Sequence, residues 1–261
     1  MPKAGTWTHS GTGLVCGCCA ETTRHRLFLG DARALNAQKE QHEMDMKSAM
    51  RNGDGVALRR LLAEDQSRAN TLISWGENDS CQTHPLHFVS DMLFDHTLPR
   101  GMEMPLVEAL LLAGADPDFQ RDGKGDTPLI GAASLGAEEV GLRLLDAGAN
   151  RQLLGLFGET ALHWAAMLGE ESLTRGLIDG SDLNLPDARY HSSPLGWAFH
   201  GWEDPPAGDQ GGQRSIILLL VAAGATVDPA WMESEKVRND PQFLAALRSG
   251  GAARRPVAPA A

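Results

Sequence analysis

Residues 158–169 read GETALHWAAMLG, and the same chemistry recurs 33 residues earlier and 33 later. The earlier copy is GDTPLIGAASLG (125–136) and the later one is HSSPLGWAFHGW (191–202). In register, Thr127, Thr160 and Ser193 coincide, then Leu129, Leu162 and Leu195, then Ala132, Ala165 and Ala198. A second element follows each time, as LLLAGAD (110–116), LLDAGAN (144–150) and LLVAAGAT (219–226). A fixed period of this length marks units that bury their apolar faces only by stacking.

Each position has a physical reason. A Thr or Ser hydroxyl caps the free N–H groups that open a helix. Pro128 and Pro194 fit the first helical turn, where the missing N–H costs nothing. Small alanines keep the helix thin, so that a neighbour can approach. Gly136 and Gly169 suit the left-handed turn that ends the first helix. Glu138, Glu139, Glu170 and Glu171 then stand at the positive end of the second helix. Val140, Leu144 and Leu145, and in the next copy Leu173, Leu177 and Ile178, supply its apolar face.

A period of 33 with a T-P-L-H-x-A core resembles the ankyrin repeat. The resemblance implies an all-α solenoid of about five helix-turn-helix repeats, joined by short hairpin fingers and closed by a C-terminal capping helix. HPLHFVSD (84–91) opens a further unit, although Pro85 to Pro128 spans 43 residues, ten more than the period. The surplus falls at 93–104, and a similar one at 203–212 (EDPPAGDQGG); both lie between the helices of one unit and are expected to loop outward. MKSAMRNGDGVALRRLLAED (46–65) resembles a polar opening repeat. At the other end, residues 229–250 offer Val237, Phe243, Leu244 and Leu247 to cover the last apolar face, as atypical terminal repeats do. The expected domain is 42–250, with a disordered segment at 1–41 and a flexible tail at 251–261. The style of the chain is that of a stand-alone bacterial ankyrin protein.

Composition narrows the function. The 261 residues are 42% hydrophobic, enough for a sizeable core. Asp and Glu number 34 against 23 Lys and Arg, a net charge of −11 that repels phosphate backbones and excludes general nucleic-acid binding. The longest apolar run, IILLLVAAGA (216–225), is too short to span a membrane. The start of the chain is too polar for a signal peptide, so a cytoplasmic location is expected. Cys16, Cys18 and Cys19 crowd together with His25 nearby, but a structural zinc site needs a second ligand pair, which is absent. No metal or other cofactor is expected.

Catalytic motifs fail in turn. DPDFQRDGKGDT (116–127) starts like a calcium loop, with Asp116 and Asp118, yet places Gln120 and Arg121 where a ligand and a glycine are required. GKGDT lacks phosphate-loop spacing. No nucleophile elbow or H-E-x-x-H occurs, and Asp91 with Asp95 is the pattern of a solvated helix face. The chain reads as a non-enzyme. His87 and His163 fill the histidine slot of the core, where the family implies bonds to neighbouring backbone.

What the repeat leaves free is the surface. In ankyrin proteins the residues just after the histidine slot, and three and four further on, face a concave groove. Here these are Phe88, Asp91 and Met92, then Trp164, Met167 and Leu168, then Trp197 and His200. The hairpin QLLGLFGET (152–160) adds Leu153, Leu154, Leu156 and Phe157 where polar residues are usual, and Leu154 and Phe157 join the candidates. The resemblance implies a monomeric protein-binding module, with Phe88, Trp164, Met167 and Trp197 as anchors and Asp91 setting orientation. Exposed apolar patches generally serve partners, though stacked aromatics can equally be local packing. A rival reading makes Trp164, Trp197 and His200 a small-ligand or catalytic pocket closed by the 203–212 insertion.

Overall fold

The computed structural model describes residues 46–206 and 211–252. The cysteine-rich stretch with His25, the segment expected to be disordered at 1–41, and all but the first two residues of the tail expected to be flexible at 251–261 lie outside them. Helices α1 (46–51) and α2 (Gly55–Glu64) form the first pair. Four more pairs follow: α3 (Pro85–Phe94) with α4 (Glu103–Leu112), α5 (Pro128–Ser134) with α6 (Glu138–Asp146), α7 (Ala161–Leu168) with α8 (Glu171–Ile178), and α9 (Pro194–Glu203) with α10 (Gln213–Ala223). Short α11 (Glu235–Arg238) and α12 (Pro241–Ala252) end the described chain, α12 passing two residues beyond the expected boundary at 250.

Helices α3, α5, α7 and α9 pack in one row, and α4, α6, α8 and α10 in a second. The core lies between the rows and is lined by Leu86, Leu106, Leu110, Leu129, Leu144, Leu162, Leu173, Leu195 and Leu220, each buried. At the far end α12 lies on α10 and buries Phe243 and Leu247. The 93–104 surplus forms the turn between α3 and α4 and still buries Leu98.

Local chemistry sets the helix starts. Thr127 Oγ1 accepts from the Ile130 amide at 3.2 Å, and Ser193 Oγ from the Gly196 amide at 3.4 Å. At α7 the Thr160 amide donates to His163 Nδ1 at 3.0 Å. That nitrogen therefore carries no proton, and Nε2–H donates to the Leu185 carbonyl at 3.1 Å. His163 thus ties its own helix start to the next finger, the backbone role that the family implies. Burial pushes its pKa down to about 4, which keeps the imidazole neutral. His84, not a hydroxyl, caps α3 through Nδ1 at 3.4 Å from the Leu86 amide.

The fingers are laced in sequence order. Asn70 accepts from the Asp116 amide and donates to the Gly114 carbonyl. Asp118 accepts from the Asn150 amide at 2.7 Å, Gln152 donates to the Gly180 carbonyl, and Asn184 accepts from the Thr226 amide. One of the expected hairpin fingers is built as a two-stranded ladder. Strands β1 (Ile73–Trp75) and β2 (Cys81–Thr83) pair antiparallel, with Ser74 opposite Gln82. The finger before α3 is long enough for a ladder, whereas the other fingers combine single backbone bonds, such as Gly155 to Glu159 and Asp187 to Ser192, with side-chain bonds.

Candidate functional site

Trp164 and Trp197 sit on adjacent helices, α7 and α9, and meet edge to face with centroids 4.9 Å apart and ring planes at 81°. Both indoles spend their N–H inward. Trp164 Nε1 donates to Glu159 Oε1 and Trp197 Nε1 to Asp187 Oδ2, each at 3.1 Å. These acids stand in the two fingers that lead into α7 and α9, so each tryptophan pins its finger to its helix. Tyr190 and His163 complete the cluster, at 6.1 and 5.4 Å from the Trp197 ring.

The two acids differ electrically. Burial raises the pKa of Glu159, with the nearby charge of Asp126 adding to it, against the pull of the Trp164 indole and the Phe157 amide. At Asp187 burial pushes upward too, but is outweighed by donors. Oδ1 accepts from the Arg189 and Tyr190 amides, and Oδ2 from the Ser192 amide and the Trp197 indole, so its pKa falls. A carboxylate held by several N–H groups prefers its charged form.

The expectation of an exposed aromatic stripe therefore needs correction. Trp197 is only 4% exposed, and Phe88, Met92, Asp91 and Leu168 are also buried. Phe88 is covered by Trp75 of the β1–β2 finger, 6.1 Å away, and Asp91 lies 3.8 Å from His87. A finger folds back over the slot after the histidine and closes it, and an enclosed side chain cannot anchor a partner on a preformed surface. Trp164, Met167, His200 and Phe157 are half-buried, and Leu154 is exposed. Burial lowers the His200 pKa, with Asp204 and Glu203 opposing it. Because one indole edge rests on the other ring, Trp164 and Trp197 leave no slot between them for a small ligand.

Exposed apolar side chains stand on the helices and their ends, at Val56, Phe94, Met102 and Leu112, and in two neighbouring fingers. Leu154 is 46% exposed, Leu156 48% and Tyr190 37%. The backbone beneath is fixed: Gln120 Nε2 donates to the Leu154 carbonyl, the Leu156 amide to Asp126, and the Ala188 amide to the Phe157 carbonyl. Arg189 lies over both the Phe157 and Tyr190 rings, 4.7 and 5.3 Å from their centroids. Sequence reasoning placed Leu154 and Phe157 among the candidates but missed Arg189 and Tyr190. The only signal for them was a DARYH turn (187–191) following an apolar finger by one period.

Among the described residues no group of three or more His, Cys, Asp or Glu side chains is arranged to hold a metal ion, and no helix is long and apolar enough to cross a membrane. Residues 98–187 match the family model for ankyrin repeats, in three copies. The chain is also 33% identical over 143 residues to the E3 ubiquitin-protein ligase KEG of Arabidopsis thaliana, a match that covers 54% of this chain and 8% of that protein. The 33-residue period, the paired helices with their laced fingers and the family-model match agree: residues 98–187 of this chain carry ankyrin repeats.

Proposed function

We propose that this chain is a non-catalytic protein-binding module of five repeats, α1–α2 to α9–α10, closed at the C-terminus by α12, and that it meets its partner on the finger surface. Ankyrin repeats in general serve protein–protein interaction, and one local observation carries the reading here. Leu154 and Leu156 stand about half exposed on a finger whose backbone is hydrogen-bonded on both sides. Exposing aliphatic side chains on a rigid frame costs solubility and gains nothing for folding. A preformed surface also loses little ordering entropy when it binds. Trp164 and Trp197 support these fingers from within through Glu159 and Asp187, while Met167 and His200 are half-buried and Phe88, Asp91, Met92 and Leu168 are buried.

Affinity capture with the full chain tests this, comparing wild type with a Leu154→Ser, Leu156→Ser variant. The wild type should recover a protein partner in fixed ratio and the variant should lose it, with thermal unfolding unchanged because exposed substitutions shift stability by only about 0.5 kcal/mol. Equal recovery by both proteins would move the contact surface elsewhere. No saturable partner at all would count against the module itself.

A further inference from the structure

We infer that the finger surface takes a peptide segment in which an Asp or Glu side chain is flanked by aliphatic residues, with Arg189 as the group that holds the carboxylate. This rests on the protein-binding reading and narrows it to one partner chemistry.

Arg189 carries the argument. It is exposed, its guanidinium is held over the rings of Phe157 and Tyr190, and among the described residues no carboxylate lies within ion-pair distance of it. Asp187, two residues away, is not ion-paired with it. Its oxygens already accept from three backbone amides, one of them the amide of Arg189 itself, and from the Trp197 indole. The same turn that positions Arg189 thus occupies both oxygens of Asp187. Stacking on aromatic faces leaves the N–H edge of a guanidinium open, and that edge fits a carboxylate bidentately. Arg and Tyr are also the residue types that most often dominate interfaces.

The neighbouring finger supplies the apolar half. Leu154 and Leu156 stand in the same finger as Phe157, are exposed, and are available to aliphatic side chains of the peptide. The chain as a whole carries −11, so the attraction for an acidic segment is local to Arg189. The acids closest to the patch are engaged: Glu159 by the Trp164 indole and Phe157 amide, Asp126 by the Leu156 amide, Asp187 as above. At physiological salt the net charge is screened beyond about 8 Å, so the contact pair decides.

Panning a phage-displayed library of random dodecapeptides on the immobilised full chain tests the inference. Enriched sequences should share an Asp or Glu next to Leu, Ile or Val. By fluorescence anisotropy, an enriched peptide should bind about tenfold more weakly once its acid is replaced by the amide, and about tenfold more weakly to Arg189→Gln. Arg189→Lys should fall between, since it keeps the charge and loses the fork. The peptide amide comparison uses the wild-type protein alone, so a poorly folded variant cannot obscure the result. Enrichment of Lys- or Arg-rich peptides, equal binding of acid and amide forms, or no enrichment would overturn the inference. Peptides that enrich yet ignore Arg189 would leave the protein-binding reading standing and remove only this one.

Discussion

Glu170 stands at the start of α8, fully buried, and neither of its carboxylate oxygens has a hydrogen-bond partner. The donors that open α8 are taken by a different acid: Glu138 of the preceding pair accepts from the Ser172 and Leu173 amides at 2.7 and 3.0 Å. Burial, reinforced by the charge of Glu138 and only partly offset by Arg100, raises the Glu170 pKa well above the ordinary carboxylate value. The folded chain therefore keeps this proton at a pH where the unfolded chain has released it. The sign follows from linkage: stability falls as pH rises from the ordinary carboxylate range through the raised pKa. Glu170→Gln lacks that slope. Urea denaturation should show the variant more stable than wild type at neutral pH, with the two curves converging below pH 4.5, the ordinary value. A constant difference at every pH would mean that Glu170 is not the titrating group. At this scale the sequence was a poor guide, because Glu138 and Glu170 look alike in register, one period less one residue apart. Which of them caps α8 depends on where the neighbouring pair sits.

Between elements, closeness is set by the small residues. A Cβ on Gly201 of α9 would lie 2.2 Å from the carbonyl oxygen of Met167 on α7, and that oxygen also accepts from Gln213. Backbone cannot yield as a side-chain tip can, so α9 would have to move off α7. Gly201→Ala is expected to lower stability by about 1–3 kcal/mol, read from the urea midpoint at unchanged m-value. Wild-type stability for the variant would show that the two helices separate without cost. The helices and their caps were legible in the sequence, since Thr127, Ser193 and the prolines act on their own first turns. The β1–β2 finger was not, because a three-residue strand has too few positions to show alternation.

For the molecule as a whole, a stack must end, and each end exposes what an internal pair would cover. Phe243 and Leu247 of α12 close the final face, where Phe199, Trp202, Trp231 and Phe243 meet with centroid distances of 4.7 to 6.3 Å. Ending the chain after Asp240 should cost about 3–6 kcal/mol, taking about 1.5–3 kcal/mol for each of the two buried side chains. Calorimetry would record it as a lower melting temperature, accompanied by increased binding of an apolar dye. An unaltered melt would show that α12 is an appendage and not a cap.

By itself the sequence determined the period, the helix starts and the charge, because these depend on residue identity and on residues acting on neighbours a few positions away. The tertiary structure decided which side chains outside the repeat pattern face solvent. Trp164 and Trp197 occupy positions that the repeat leaves open, yet their indole N–H groups turn to acids in the adjoining fingers, and Trp197 is enclosed. Arg189 and Tyr190 carry no mark in the repeat pattern, and they are exposed together with Leu154 and Leu156. Exposure belongs to the packing of three fingers against one another, and no single repeat carries that information.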